Sequence, residues 1–289
     1  MNLRSILRPI KRSLLSRGYS APVHIFLEEL KVGIPTSFHP VDGSFLVNLS
    51  FDLELGLNSP FWERGSVEAL HLGKLSKNNL LPTLSFLGEK EVPCNVQIVC
   101  GLLDHNFITS SFLSDDQRNL ITKHDDLFQF SQDEHTALAG KNVEVGIHGF
   151  SHRRFSTLSQ KEAQKEVTKS VELITDTFGH SPRFMSFPKN NIQYSRFLSA
   201  AGINAWRGSR QGVYSSGEVP VGLWFAPGNI SPRDLACILK EIRELQPQGF
   251  FLHLWGHFTE MNRNTLADMV TVIRDGGFSF TTISNYIES

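Results

Sequence analysis

No run of about 18 apolar residues occurs anywhere in the 289-residue chain, so no stretch reads as a membrane-spanning helix. The first residues show no continuous apolar core of a signal peptide either, and the expected compartment is therefore the cytoplasm. Cysteine is scarce: Cys94, Cys100 and Cys237 make an odd set, and the first two lie in an apolar run. No disulfide framework is implied, and these thiols read as reduced and buried. A dominant charge is also missing, since 28 Lys and Arg stand against 29 Asp and Glu. No global field favours nucleic acid or an acidic polymer. Internal repeats and low-complexity tracts are absent, which leaves one α/β core as the expectation.

Apolar residues are plentiful: 40% of the chain is hydrophobic, enough for a large core. The first segment differs from the rest. Residues 1–27 carry Arg4, Arg8, Lys11, Arg12 and Arg17 with no acidic residue, interleaved with Leu3, Ile6, Leu7, Ile10, Leu14 and Leu15. Pro9 and Gly18 limit any helix there to two or three turns. Such a basic amphipathic segment suits weak contact with an anionic membrane surface through residues 1–20, against the plainer reading of a solvated leader or a helix packed on the domain. Residues 1–42 are set apart as a basic N-terminal extension, and 43–289 as the domain.

Within the domain, β and α patterns alternate. Ser44 to Phe51 reads as a buried strand that delivers Asp52 and Glu54 at its C-terminal end, the end where parallel α/β folds place their chemistry. Positions two apart on a strand share a face, so these carboxylates project side by side. Further strands are expected at Val92–Gly101, Val143–Ile147, Arg183–Asn190, Ile203–Gly208 and Phe250–His257, the last with His253, Trp255 and His257 on one face. Ser159 and Glu162 form a capping box that opens a helix through Phe178, closed by Gly179. Other helices are expected at about Tyr194–Ala201, Pro232–Leu245 and Thr265–Asp275, with a polar, partly helical stretch from Asp104 to Gly140.

The chain centres on Glu144-Val-Gly146-Ile-His148-Gly-Phe-Ser-His152. Histidines four apart are often inert on helix surfaces. Here they follow an apolar strand, and Gly149 and Ser151 suit a turn that lets both imidazoles converge on one ion. Carboxylates at the end of a buried strand need a positive partner, and a divalent ion is the natural one. One of Asp52 and Glu54 binds the metal in this reading, while the other works on water.

These pieces resemble, in order, the polysaccharide deacetylase family, also called the NodB-homology domain or carbohydrate esterase family 4, over about Phe45 to Ile287. Ser50-Phe-Asp52-Leu-Glu54 resembles its first motif with the spacing changed by one residue. Glu144 to His152, followed by Leu158-Ser159, matches the second closely. Phe187-Pro188-Lys189-Asn190 keeps only the proline of the third, Arg-x-Pro-x-Gly. Leu252-His253 resembles the last motif, with His257 as the position used in divergent branches.

The resemblance implies a distorted (β/α)7 barrel, TIM-barrel-like, carrying a single catalytic domain. It implies a metal-dependent hydrolase of carbon–nitrogen bonds that removes N-acetyl groups from a sugar, sugar nucleotide or lipid-linked glycan in bacterial cell-surface polysaccharide biosynthesis. The metal is expected to be zinc, with cobalt, manganese, nickel or iron as alternatives, held by Glu54, His148 and His152. Asp52 is the implied base, and His253 or His257 the implied acid. Lys189 or Arg207 replaces the missing arginine. Substrate contacts are expected from Trp62, Pro188, Lys189, Asn190, Trp206, Arg207 and Trp255. The alternatives are a cyclic amide or ureide hydrolase on the same scaffold and an inactive carbohydrate-binding relative. A non-haem iron oxygenase uses a similar ligand set, but its many short sandwich strands are absent.

Overall fold

The structure, a computed structural model, describes residues 43–288 apart from 58–61, 63–66, 110–112, 208–221, 225–229 and 262. The basic extension, with its expected membrane contact, lies outside the described residues. Within them, no helix is long and apolar enough to cross a membrane.

Among the described residues, eight strands form one sheet: β1 Phe45–Leu53, β2 Cys94–Ile98, β3 Val143–Ile147, β4 Phe184–Ser186, β5 Ala205–Arg207, β6 Gly222–Trp224, β7 Phe250–His257 and β8 Ser279–Phe280. Their order is β5-β4-β3-β2-β1-β7-β6, with β8 against β1, and every pairing is parallel. Parallel pairing needs a long crossover between neighbours, which the helices supply. They are α1 Glu68–Glu89, α2 Asp115–Lys123, α3 Asp125–Phe128, α4 Gln132–Leu138, α5 Gln160–Phe178, α6 Pro232–Leu245, α7 Arg263–Asp275 and α8 Ile283–Glu288. This is the expected distorted (β/α)7 barrel, curled around β1.

Alternation along β1 explains its central place. Val47, Leu49, Phe51 and Leu53 belong to the main apolar core. Asn48, Ser50 and Asp52 occupy the other face, buried yet polar. A buried polar face is tolerable only when its groups meet partners. Asn48 Nδ2 donates to Asn95 Oδ1 at 2.7 Å, and Ser50 Oγ donates to Gln97 Oε1 at 2.6 Å. The strands are thus tied through their inner side chains as well as their backbones.

Local signals placed most elements. Ser159 and Glu162 make the expected reciprocal cap on α5, and Gly179 closes it at φ 75°. Ser231, Pro232 and Asp234 open α6 in the same manner. The expected helix over Tyr194–Ala201 is instead two 3-10 turns, Ser195–Phe197 and Ser199–Ala201. Tyr194 enters them at φ 63°, which spoils a continuous helix start, and the amides bond three residues back rather than four. Strand β6 has no counterpart in the sequence reading, whereas β4 and β5, equally short, fall inside runs that the reading expected as strands. Cys94 and Cys100 are free and buried, and burial pushes both thiols up to about 12, as reduced core residues require.

Candidate functional site

Parallel strands put their C-terminal ends along one edge, and the polar residues with chemical potential gather there. Asp52 is the penultimate residue of β1, and Glu54 follows its end. His148 is the first residue beyond β3, and a turn through Gly149, at φ 72°, returns the chain so that His152 joins it. His148 Nε2 and His152 Nε2 each lie 2.9 Å from Glu54 Oε1. Ligand atoms of these three residues lie within 4.8 Å of one another, as do those of Asp52, Glu54 and His257.

Proton bookkeeping tests whether a cation suits this place. His148 Nδ1 lies 2.9 Å from the Ser186 carbonyl, which only accepts, so Nδ1 carries the proton. In a neutral ring Nε2 then aims a lone pair at the Glu54 carboxylate. Two imidazoles share one carboxylate oxygen, and Glu54 Oε2 is buried without a hydrogen bond, its near neighbour being His257 Nε2 at 3.6 Å. Acceptors converging in this way fit a divalent cation of the N/O-binding kind, with Ser186 fixing the His148 ring from behind.

Asp52 lies beside this cluster, its Oδ2 4.0 Å from His148 Nε2. Its Oδ1 accepts from Ser186 Oγ at 3.0 Å, while Arg207 Nη2 forms a buried ion pair with Oδ2. Ser186 and Arg207 are register partners at the ends of β4 and β5, so both meet the same carboxylate. The guanidinium also lies 4.3 Å over the Trp255 ring. Burial pushes the Asp52 carboxyl up, but Arg207, then His148 and His257, outweigh it and hold it below its ordinary range. Glu54 is held further down, with burial opposed by His257 and His152.

The two histidines of β7 have opposite surroundings. Burial pushes the His257 imidazole down, but Glu54, Glu260 and Asp52 together raise it to about 9. Its Nδ1 lies 3.3 Å from Glu260 Oε2. His253 is fully buried, with Nδ1 2.9 Å from Asn48 Oδ1. It sits four residues, about 13 Å, deeper along the strand. Burial and then Arg207 push it well below its ordinary value. Of the two acid candidates, the fold brings His257 to the cluster and leaves His253 in the polar interior.

The expected substrate contacts are divided in the same way. Trp255 borders Arg207 and His257, whose ring centroid is 5.8 Å away. Lys189 is half-buried and feels the Glu54 charge, though burial pulls its ammonium down. Pro188 is buried against the histidine turn, where a Cβ on Gly149 would meet its Cγ at 3.0 Å. Asn190 closes the short turn after β4, its amide donating to the Phe187 carbonyl at 3.0 Å. Trp206 alternates with Arg207 and belongs to the apolar core, as does Trp62, whose ring lies 5.6 Å from Phe128. The sequence reading passed over Ser186, Glu166 and Glu260. Ser186 had a signal: it stands two positions before Pro188, where the third motif calls for arginine.

Residues 87–203 match the family model described as polysaccharide deacetylase. The match spans less than half of the chain and marks a resemblance to polysaccharide deacetylases over that segment. The matched segment holds His148 and His152, while Asp52, Glu54, Arg207 and His257 come from outside it. Among solved structures similar to this chain is a candidate polysaccharide deacetylase from Mycobacterium smegmatis, 15% identical with a TM-score of 0.57, covering 86% of this chain and 92% of that one. A CE4 family pseudoenzyme from Bacillus anthracis is 12% identical with a TM-score of 0.48 over 86% of this chain and 68% of that one. A family 4 acetyl xylan esterase from Clostridium thermocellum, in complex with a cobalt ion, is 14% identical with a TM-score of 0.46 over 84% and 90%. At these identities the likeness is one of fold. No curated protein matches the chain.

Proposed function

We propose that the chain is a cation-dependent hydrolase that removes N-acetyl groups from a sugar or glycan. The observation that carries this reading is the pairing of two carboxylates with separate tasks at one strand end. Glu54 meets both histidines, and Asp52 meets Arg207 and Ser186 instead. Glu54, His148 and His152 are the residues that would hold the ion. When bound, a divalent cation such as zinc supplies Lewis acidity toward the acetyl carbonyl and the attacking water.

Asp52 takes the proton of that water. Arg207 and Ser186 keep its carboxylate ionised and aimed, which is what a base working at neutral pH requires. His257, protonated through its carboxylate neighbours, gives a proton to the departing amine nitrogen. Expelling an unprotonated amine is slow, so this donor matters for amide substrates. Trp255 offers an apolar ring to a sugar, and Lys189 with Asn190, on the turn after β4, offers polar contacts to it. Trp62 and Trp206 belong to the core in this reading. The basic extension supports contact with an anionic membrane where lipid-linked glycans of the cell surface are assembled.

Acetate release from a panel of N-acetylated sugars, sugar nucleotides and lipid-linked glycans, with and without chelator, tests the proposal. Chelator-sensitive release is the expected result. No release with any divalent cation would overturn it in favour of a carbohydrate-binding domain that keeps the fold. Equal co-sedimentation with anionic vesicles after removal of residues 1–20 would remove the membrane role.

A further inference from the structure

We infer that Glu166, on α5, is a positioning residue that holds His152 in its ligating conformation and thereby sets the cation affinity of the site. The inference rests on the cation reading of Glu54, His148 and His152 given above.

The two histidines are held by different means. His148 follows directly from β3: its amide donates to the Ile98 carbonyl at 2.8 Å, and Ser186 fixes its ring. His152 has no strand beneath it. Its backbone sits at φ 58°, a left-handed conformation uncommon for any residue with a Cβ, histidine being among those that tolerate it best. Surrounding contacts must hold such a conformation against relaxation.

Residues 149–151 are fixed from two sides. On one side, the amides of Cys100 and Gly101 donate to the carbonyls of Gly149 and Phe150 at 2.9 and 2.8 Å. Gly101 permits this approach, because a Cβ there would lie 2.6 Å from the Phe150 oxygen. On the other side, the amides of Phe150 and Ser151 both donate to Glu166 Oε2, at 2.8 and 3.0 Å, and the Ser151 hydroxyl donates to Oε1. Glu166 is only 1% exposed. A carboxylate that deep persists when several donors meet it, and here three do. The first clamp is backbone and is reached by many sequences. The second depends on this one side chain.

Helix α5 is itself anchored for the task. Its N-terminus is capped by Ser159 and Glu162. Lys169, three residues after Glu166, lies 4.0 Å over the Phe150 ring and pairs with Asp104. The turn is therefore gripped from one helix by a carboxylate on its amides and an ammonium on its aromatic ring. Losing the carboxylate frees the two amides and lets His152 relax toward ordinary φ, away from Glu54. Outer partners of metal ligands act in this way on affinity.

The test is Zn2+ affinity of the full chain, read by competition with a chromophoric chelator, for wild type, Glu166→Ala, Glu166→Gln and Ser151→Ala. Glu166→Ala is expected to raise the dissociation constant about 10- to 100-fold. Glu166→Gln keeps one oxygen for the two amides and should fall between it and wild type. Ser151→Ala removes one bond and should cost least. Faster hydrogen exchange at the Phe150 and Ser151 amides accompanies the loss, by a smaller but measurable margin in Glu166→Gln than in Glu166→Ala. A purely structural role would lower the unfolding midpoint and leave the affinity of the folded protein unchanged. Glu166→Ala that folds and binds within about twofold of wild type overturns the inference, since outer-partner effects exceed that. Should Glu166→Ala not fold, wild-type affinity in Glu166→Gln overturns it instead. Wild type that binds no Zn2+ at all overturns the cation reading itself, a separate and visible outcome.

Discussion

Arg207 and Asp52 lie 155 positions apart in the chain and meet as an ion pair in which both side chains are buried. The arginine comes from the end of β5, and its flat face rests on Trp255. A guanidinium suits this place because it can bond a carboxylate in plane while stacking out of plane, which a lysine ammonium cannot.

Arg207→Gln therefore leaves a buried anion uncompensated. The expected loss is about 3–5 kcal/mol in denaturant unfolding at neutral pH. Arg207→Lys should recover only part of it. The Asp52 carboxyl is depressed in the folded state, so the pair's contribution is present above the unfolded value near about 4 and disappears as pH falls through the lower folded value. Wild type and variant should converge in acid. A constant difference between them down to that range would show that the loss arises from packing.

Asp52→Asn is expected to keep the cation and lower turnover about 100- to 10,000-fold, because an amide cannot take the proton. Glu54→Gln should weaken cation binding, since it replaces an anionic donor with a neutral one. Cation loss in the Asp52 variant and retention in the Glu54 variant would exchange the two assignments. Turnover and bound-metal content measured on the same samples separate the cases.

The two β7 histidines should make opposite contributions to stability in chelator. His257 is raised to about 9, so its ion pairing stabilises fully below the unfolded value near about 6.5 and is lost as pH climbs through 9. His257→Gln should flatten that decline. His253 is depressed, so the folded protein resists protonating it, and stability falls as pH drops below about 6.5. His253→Gln should flatten the acid side. Urea midpoints followed from pH 5 to about 9.5 give both slopes. Identical slopes in wild type and both variants would refute the assignment.

Gly146 occupies a close approach rather than a turn. A Cβ on it would sit 2.7 Å from the Phe184 carbonyl oxygen on the adjacent strand, a backbone atom that cannot swing aside. Gly146→Ala must push β3 from β4 and carry His148 with it. The expected cost is about 1–3 kcal/mol, as for other overpacked sites, together with weaker cation binding. An unchanged thermal midpoint would show that the strands yield freely.

Much of the fold was legible in the sequence because its signals are local. The run Val143–Ile147, the cap at Ser159 and Glu162, the Pro232 helix and the strand ending at His257 appear where their patterns put them. The gathering of Glu54, His148 and His152 was legible too, since alternation along β1 places Asp52 and Glu54 on one face and Gly149 permits the histidine turn. Strand β6 stood outside every expected strand, and the segment after Tyr194 closes as two 3-10 turns instead of one helix.

What the sequence by itself determined was which residues stand at strand ends, because side-chain period and capping chemistry act within a few residues. Which of those residues meet was decided by the parallel register of distant strands. That register set Arg207 and Ser186 on Asp52 and brought His257 rather than His253 to Glu54. Side-chain packing, as of Trp62 against Phe128, likewise decided which aromatic rings joined the core. A strand's own pattern shows its two faces but not its neighbour, and neighbours are fixed only when the sheet curls and the helices pack across it.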